Sequence, residues 1–554
     1  MGLVRKARVA HIATLLALAS AAVVPISAQQ SPQAPIRRAT RLVQVNVITR
    51  NKNGSVPNLA KDDFVVLDRG KPRDITVFTA ESAPASPQPA QPLPPNTFSN
   101  LSSHETNPPR SVTIVLLDNL NTLYGSAPQD QYESTPSWIE DLALQRARTQ
   151  LLEFLEVLDP QDRVAIYGLR DSLHVLCDFT SDRAQLLAIV SKYDTSSRTN
   201  RAVVEPAYRT APLREHTADP LQVSSENGSA LRLAGIANEE RAKITMAALS
   251  SIANHVANIP GRKNLVWLTA ELPFSGTAMA RLLSPANIAV YPVDARGLLP
   301  RRVAPDIMST ADADDVSGAS GHYDNMPAQS SVPIGIPTMQ KLAEETGGQA
   351  FVNTNDITGA IRKAVEDSAV TYTLGFYIDS ASLDGKFHEL RVQVKRKGLT
   401  VRYPRGYFAF EDAPATNDEK RNDLATAVRN PIESSAIPVK VRIVRVDQPL
   451  PHCLSIFGSI DIRNLHLAES GGVRSGALDV VTIEQDESGK VLAQSGSTIK
   501  LQFAQKQYLD YLKAGFPFHQ YVQPQEHATT LRILVDDPDT AGVGSLIIPL
   551  SQLR

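Results

Sequence analysis

The 554-residue sequence predicts a multidomain α/β protein. A parallel sheet flanked by helices is inserted between the halves of a β-sandwich and followed by a second, all-β sandwich. Three observations predict this. Apolar runs alternate with helix-spaced apolar faces between 112 and 368. Period-two alternation appears on both sides of that stretch. Short alternating strands with turn punctuation fill 434–554. The length suits roughly two to four domains. The 42% apolar content is ample for packed cores and excludes global disorder.

The amino terminus reads as an address. Arg5, Lys6 and Arg8 precede an apolar run from Ile12 to Val24, and Ile26-Ser27-Ala28 ends in small residues. This is the pattern of a secretory signal peptide over residues 1–28. The run is short of the roughly 20 residues that span a bilayer. The mature product is therefore expected to be secreted or periplasmic, with no membrane span after cleavage.

Val43, Val45 and Val47 alternate with polar residues, Asn53-Gly54 marks a turn, and Phe64–Leu67 and Ile75–Phe78 give two more strands. Such a three-stranded unit buries little alone. The alternation of Tyr372, Leu374, Phe376 and Ile378, then of Leu390, Val392 and Val394, supplies its complement. Residues 41–80 plus 370–410 are thus expected to form one β-sandwich. Eight prolines make 82–110 a stiff linker.

The intervening α/β domain spans 111–369. Val112–Leu117 reads as a strand buried on both faces. Leu144, Ala147, Leu151, Leu155 and Leu158 form a helix face that Asp159-Pro160 stops. Val164–Leu169 and Leu173–Phe179 are strands, and Thr180-Ser181-Asp182 caps the next helix. Leu249, Ile252, Val256 and Ile259 mark another helix. Leu265–Leu268, Ile288–Val293 and Ala350–Val352 are further strands, and Ile357–Ser368 is a last helix. The polar stretches 196–230 and 297–335 break this rhythm and read as insertions. Residues 411–433 form a second linker, and 434–554 the C-terminal sandwich.

Asp118-Asn119-Leu120-Asn121-Thr122 sits at the carboxyl end of the first buried strand, where open α/β sheets bind ligands. A carboxylate, an amide and a hydroxyl there offer oxygens to a hard divalent cation. The position resembles the D-x-S-x-S metal site of von Willebrand factor A domains. Asp162–Ile166, Asp178–Arg183, Ile259–Leu268 and Ile288–Gly297 continue the resemblance in order. With Leu342–Gly348 and Arg405-Gly406-Tyr407, residues 41–410 resemble the secreted von Willebrand factor A-related proteins of acidobacteria. That resemblance implies a Rossmann-like domain and a Mg²⁺ site at Asp118, Thr122 and Glu271. The match is partial. Leu120 has no oxygen where the family has its first Ser. Thr195 or Thr199 stands for the later Thr without the usual Gly-Gly. Thr269-Ala270-Glu271 replaces Thr-Asp-Gly, with Glu271 one position out of register.

Other chemistry finds less support. The chain carries 56 basic and 58 acidic residues, so no basic excess exists to collect nucleic-acid phosphates. Two cysteines, Cys177 and Cys453, exclude a disulfide-rich scaffold and multi-cysteine metal sites; whether the two pair is left open. No G-x-S-x-G elbow, phosphate-cradling G-x-x-x-x-G-K-[ST] loop or H-E-x-x-H pair occurs. His174 reads as a non-catalytic strand histidine, and Asp536-Asp537-Pro538-Asp539 as a polar hairpin turn rather than a calcium loop. Trp267 reads as core. Phe516, Phe518 and Tyr521 are expected to pack over the sandwich edge rather than line a groove. The expected function is that of an exported, non-enzymatic scaffold that binds a protein ligand, with Mg²⁺ as the cation the resemblance implies. The alternative is an extracellular hydrolase with a site assembled between domains. Partner identity and oligomeric state are not legible.

Overall fold

The computed structural model describes residues 40–52, 54–82, 93–101, 111–122, 137–194, 220–259, 261–273, 275–298, 335–379, 382–409, 426–448, 451–540 and 542–553. The signal-peptide reading lies outside them, as do Thr195, Thr199 and most of the two expected insertions. No described helix is long and apolar enough to cross a membrane.

The chain opens with β1 (Thr40–Asn51), β2 (Gly54–Ser55), β3 (Phe64–Asp68), β4 (Lys71–Arg73), β5 (Val77–Ser82) and β6 (Thr97–Ser99). Next come β7 (Ser111–Asp118), α1 (Asn119–Thr122), α2 (Ser137–Glu156), β8 (Asp162–Leu169), β9 (Leu173–Thr180), α3 (Arg183–Lys192) and α4 (Pro220–Val256). These are followed by β10 (Lys263–Thr269), α5 (Gly276–Leu283), β11 (Ile288–Asp294), α6 (Ile336–Thr346) and α7 (Ile357–Asp367). Then come β12 (Val370–Asp379), β13 (Phe387–Val394), β14 (Thr400–Arg402) and β15 (Gly406–Phe408). The last part holds β16 (Val439–Val446), β17 (Cys453–Ile460), β18 (Ala468–Ser470), β19 (Val473–Gln485), β20 (Val491–Ala504), α8 (Gln505–Ala514), β21 (Phe516–Val522), β22 (Thr530–Asp536) and β23 (Val543–Pro549).

The molecule is mixed α/β and built on several sheets. The central one runs β11-β10-β7-β8-β9. Its first four strands are parallel, and β9 returns antiparallel to β8. Alternate residues explain why helices cover both faces. Ile114, Leu116, Leu265 and Trp267 pack with Leu249, Ile252 and Met339 on one side. Val115, Leu117, Val266 and Leu268 pack with Leu151, Leu155 and Ile361 on the other. Gly347 ends α6 with φ 75°, and a side chain on Gly348 would strike the Val290 backbone, so Gly347-Gly348 both stops the helix and brings it against β11.

Strands from 40–82 interleave with strands from 370–408. β1 pairs with β12, β12 with β5, β1 with β14, and β3 with β13. The sheets β14-β1-β12-β5 and β15-β13-β3-β4 enclose one core around Val45, Val47, Phe64, Tyr372 and Phe376. The carboxyl-terminal unit is also two-layered, β21-β17-β16-β6 facing β18-β19-β22-β23 with β20 on β19.

Four sequence expectations need revision. Within the stretch 196–230, read as an insertion that breaks the rhythm, residues 220–230 belong to helix α4. Within the proline-rich stretch 82–110, Thr97–Ser99 forms β6 and pairs with β16. Asn100 fixes it there, donating to Ser434 O and Ile437 O and accepting from Val439 N. Within 411–433, residues 426–429 form a helical turn, and Ala427 and Ile432 are buried. The carboxyl-terminal unit is not all-β, because α8 lays Tyr508, Tyr511 and Leu512 on its core. Their spacing of three and one is a helix face that the flanking strand signals obscured. Cys177 and Cys453 are buried and unpaired.

Candidate functional site at the rim of the central sheet

Strand order reverses between β7 and β10, whose carboxyl ends meet at the rim. This is the place where open α/β sheets receive ligands. Asp118 ends β7 and is fully buried. Its Oδ1 accepts the Asn121 backbone N–H at 2.8 Å. Its Oδ2 accepts Asn121 Nδ2 at 2.8 Å and the Trp267 indole N–H at 2.8 Å. Thr269 makes a further side-chain hydrogen bond to it. The register explains the indole contact. Trp267 lies opposite Leu116, so its ring shares a sheet face with Asp118 two residues on. Burial raises the Asp118 carboxyl above its ordinary pKa, against the lowering effect of these donors.

Most of the neighbouring polar groups are likewise bonded within the chain, although Asn119 Nδ2 and Asn121 Oδ1 are buried without a hydrogen-bond partner among the described residues. The Thr122 hydroxyl turns back to the Asp118 carbonyl at 2.5 Å. Asn119 Oδ1 accepts from the Tyr193 hydroxyl at 3.0 Å. Asn121 Nδ2 also reaches Thr245 Oγ1 at 3.1 Å, and Thr245 donates to Arg241 O at 2.8 Å. Arg241 is buried on α4, and its guanidinium lies 3.7 Å from Glu271 Oε2. At the end of β11, Asp294 accepts from Arg296 N, Nε and Nη2 at 3.1, 2.8 and 2.9 Å. Each acid at these three strand ends therefore faces a donor or cation from its own chain.

These residues do not fit the Mg²⁺ site that the resemblance implies. Hard divalent ions need about six oxygen ligands. The Asp118 oxygens are committed to protein donors, Thr122 serves a carbonyl, Leu120 is a buried hydrocarbon, and Glu271 faces a guanidinium instead of converging on Asp118. Among the described residues no group of three or more His, Cys, Asp or Glu is placed to hold a metal ion. Sequence reasoning missed Arg241 and Arg296, and it read Trp267 only as core. The Asp294-x-Arg296 spacing was a readable signal; Arg241 is 30 residues from Glu271 in sequence and was not.

A second polar assembly joins the central domain to the carboxyl-terminal unit. The His255 ring, on α4, bridges Glu433 O at 2.5 Å and Asp178 Oδ1 at 3.2 Å and stacks on Phe179. Tyr167 donates to the same Asp178 oxygen at 3.0 Å. Ser435 N donates to Asn254 O at 2.8 Å, and Ser435 Oγ to His255 O at 2.7 Å. Burial pulls the His255 pKa down, but the Asp178 bond and charge and the Glu433 carbonyl outweigh it, leaving the pKa above its ordinary value.

A third cluster lies between β3, β4, β13 and β15. Asp68 accepts from Arg73 Nε and Nη2 at 3.0 and 2.7 Å and from the Tyr407 hydroxyl at 3.3 Å. His388 bridges Tyr407 Oη and Asp384, each at 2.9 Å. Burial and the Asp68 charge push the Tyr407 phenol far up, which keeps it protonated and unsuited to nucleophilic attack. His174 is on the surface, 2.8 Å from Asp171. Asp537 accepts from Asp539 N within the turn between β22 and β23 and from His466 N of the segment before β18, which ties the turn to the rest of the unit.

No family model matches the chain, and no curated protein matches it. Several solved structures are similar in part. An aerotolerance-related membrane protein from Bacteroides fragilis is 14% identical, with 46% of this chain and 98% of that one covered and a TM-score of 0.23. A von Willebrand factor type A structure from Catenulispora acidiphila is 9% identical, covering 86% and 73% at a TM-score of 0.23. The manganese-loaded TRAP protein of Plasmodium vivax is 11% identical, covering 59% and 96% at 0.22. These are weak likenesses of backbone shape.

Proposed function

We propose that this chain is an exported, non-enzymatic scaffold. Its von Willebrand factor A-like domain, inserted in a β-sandwich, presents the rim of its sheet to a protein partner, and docking there does not require a divalent cation. The observation that supports this reading is the internal pairing of Asp118, Glu271 and Asp294. Asp118 and Asp294 are buried, so these pairs stiffen the rim from beneath its surface and leave no free reactive group there among the described residues. The loop after β11 adds an exposed apolar residue to that surface, Leu298, at 62% exposure. Export rests on the amino-terminal pattern.

The test immobilises the full chain and captures partners from envelope extract with and without EDTA, beside a Leu298→Glu variant. Capture that survives EDTA and falls at least several-fold in the variant supports the proposal. Capture abolished by EDTA contradicts it. Turnover of an ester, glycoside or peptide panel would favour the hydrolase reading.

A further inference from the structure

The outer face of the sheet β21-β17-β16-β6 carries a feature that the rim does not account for. Cross-strand register sets Arg442 beside Phe457 and Phe457 beside His519. Partners in register share a face. Phe457 is 52% exposed and Tyr521, two residues beyond His519, is 51% exposed. Phe457 and His519 stack with centroids 4.5 Å apart, and His519 meets Tyr521 edge-on at 4.5 Å. Ser455 Oγ lies 2.8 Å from His519 Nε2 and fixes the middle ring. Phe516 and Phe518, by contrast, point inward to the core, so the edge cluster expected from sequence divides between two faces.

The chemistry around the rings is one-sided. Lys440 shares the face with Ser459 and Pro517, and Val444 with Ser455 and Tyr521. The outward positions of β16, β17 and β21 thus hold two exposed cations, the exposed Tyr521 hydroxyl and the half-buried Ser459, and no carboxylate, with Ser455 buried beneath the rings. Exposed rings rimmed by polar groups mark interaction surfaces. Ring faces accept the polarised C–H bonds of a pyranose, hydroxyls match its oxygens, and Lys440 and Arg442 match carboxylates. A polyphosphate, with its higher charge density, is a poorer match, since the face holds only two fixed cations. We infer that this sheet face is a binding site for an acidic, uronate-containing polysaccharide.

The test is affinity electrophoresis and calorimetry of the full chain with polygalacturonate, with pullulan as a neutral glycan and a single-stranded oligonucleotide as a polyphosphate. The expected result is saturable binding to polygalacturonate, at least ten-fold weaker to pullulan and weakened by added salt. A Phe457→Ala/Tyr521→Ala pair and a Lys440→Glu/Arg442→Glu pair each lower it at least ten-fold. These positions are exposed, so circular dichroism and the melting temperature should be unchanged. No binding, equal binding to pullulan, tighter binding to the oligonucleotide, or self-association abolished by the same variants would each overturn the inference. None of these outcomes bears on the rim, because no rim residue is altered.

Discussion

Asp118 gives the residue-scale account its sharpest test. Its carboxylate is buried and serves as acceptor for the Trp267 indole and for two Asn121 donors. Removing it strands those donors, and an unsatisfied buried donor costs about 1–3 kcal/mol. Asp118→Ala is therefore expected to lose about 2–4 kcal/mol in urea unfolding, and Trp267→Phe about 1–2 kcal/mol. Because the two share one bond, their double-mutant cycle should show a coupling of at least about 0.5 kcal/mol. Additive losses would mean that the bond is not made. The position of Asp118 was legible from sequence as the end of an apolar run before polar residues. Its partner was not, because a tryptophan inside a strand signals burial and says nothing of where its N–H points.

At the scale of elements, α4 and the segment following residue 430 form a latch whose strength depends on protonation. The His255 pKa is raised by folding, so the charged ring is favoured in the docked state. Its contribution is complete below the ordinary value of 6.5 and is lost as pH rises through the raised value. Asp178 is half-exposed. Burial raises its pKa, but the His255 bond and charge outweigh this and hold it below the ordinary 3.8, so its contribution disappears as pH falls through that lowered value. Glu433, which accepts the Ile547 N–H, and Arg532, which donates to Asn430 O and Ile432 O, complete the charged surroundings. Hydrogen-exchange protection factors at 426–437, corrected for the intrinsic base-catalysed rate, are expected to fall between pH 6.5 and alkaline pH in the native chain and to lose that dependence in His255→Gln. An unchanged profile in the variant would remove His255 from the latch. The α4 face Leu249, Ile252 and Val256 was readable from its spacing. Its start at Pro220 was not, because Ser, Asn and Gly dilute the apolar period there. The seating of residues 426–433 was hidden for a related reason: a short polar segment is held by backbone carbonyls, which leave no mark on side-chain pattern.

At the scale of the whole molecule, buried charge joins the central domain to the two-sheet unit that surrounds its ends. Asp367, at the end of α7, accepts from Arg50 of β1 at 2.7 Å, from Tyr291 of β11 at 3.0 Å and from Arg402 of β14, with Lys363 at 3.3 Å. Its side chain is fully buried, and Arg50 and Arg402 are mostly so. Breaking a buried ion pair from one side costs about 3–5 kcal/mol, because the remaining charge stays uncompensated. Asp367→Asn should therefore lower stability by about 3 kcal/mol and separate the melting of the two-sheet unit from that of the central domain in calorimetry. A single, unshifted transition would show that the hub does not couple them. The central claim is that the chain's own donors and cations close the rim of the sheet in place of a metal ion. Titration of Mg²⁺ and Mn²⁺ into the full chain tests it most directly: no heat beyond dilution and a melting temperature indifferent to EDTA are expected, whereas saturable one-to-one binding that Asp118→Ala abolishes would contradict it.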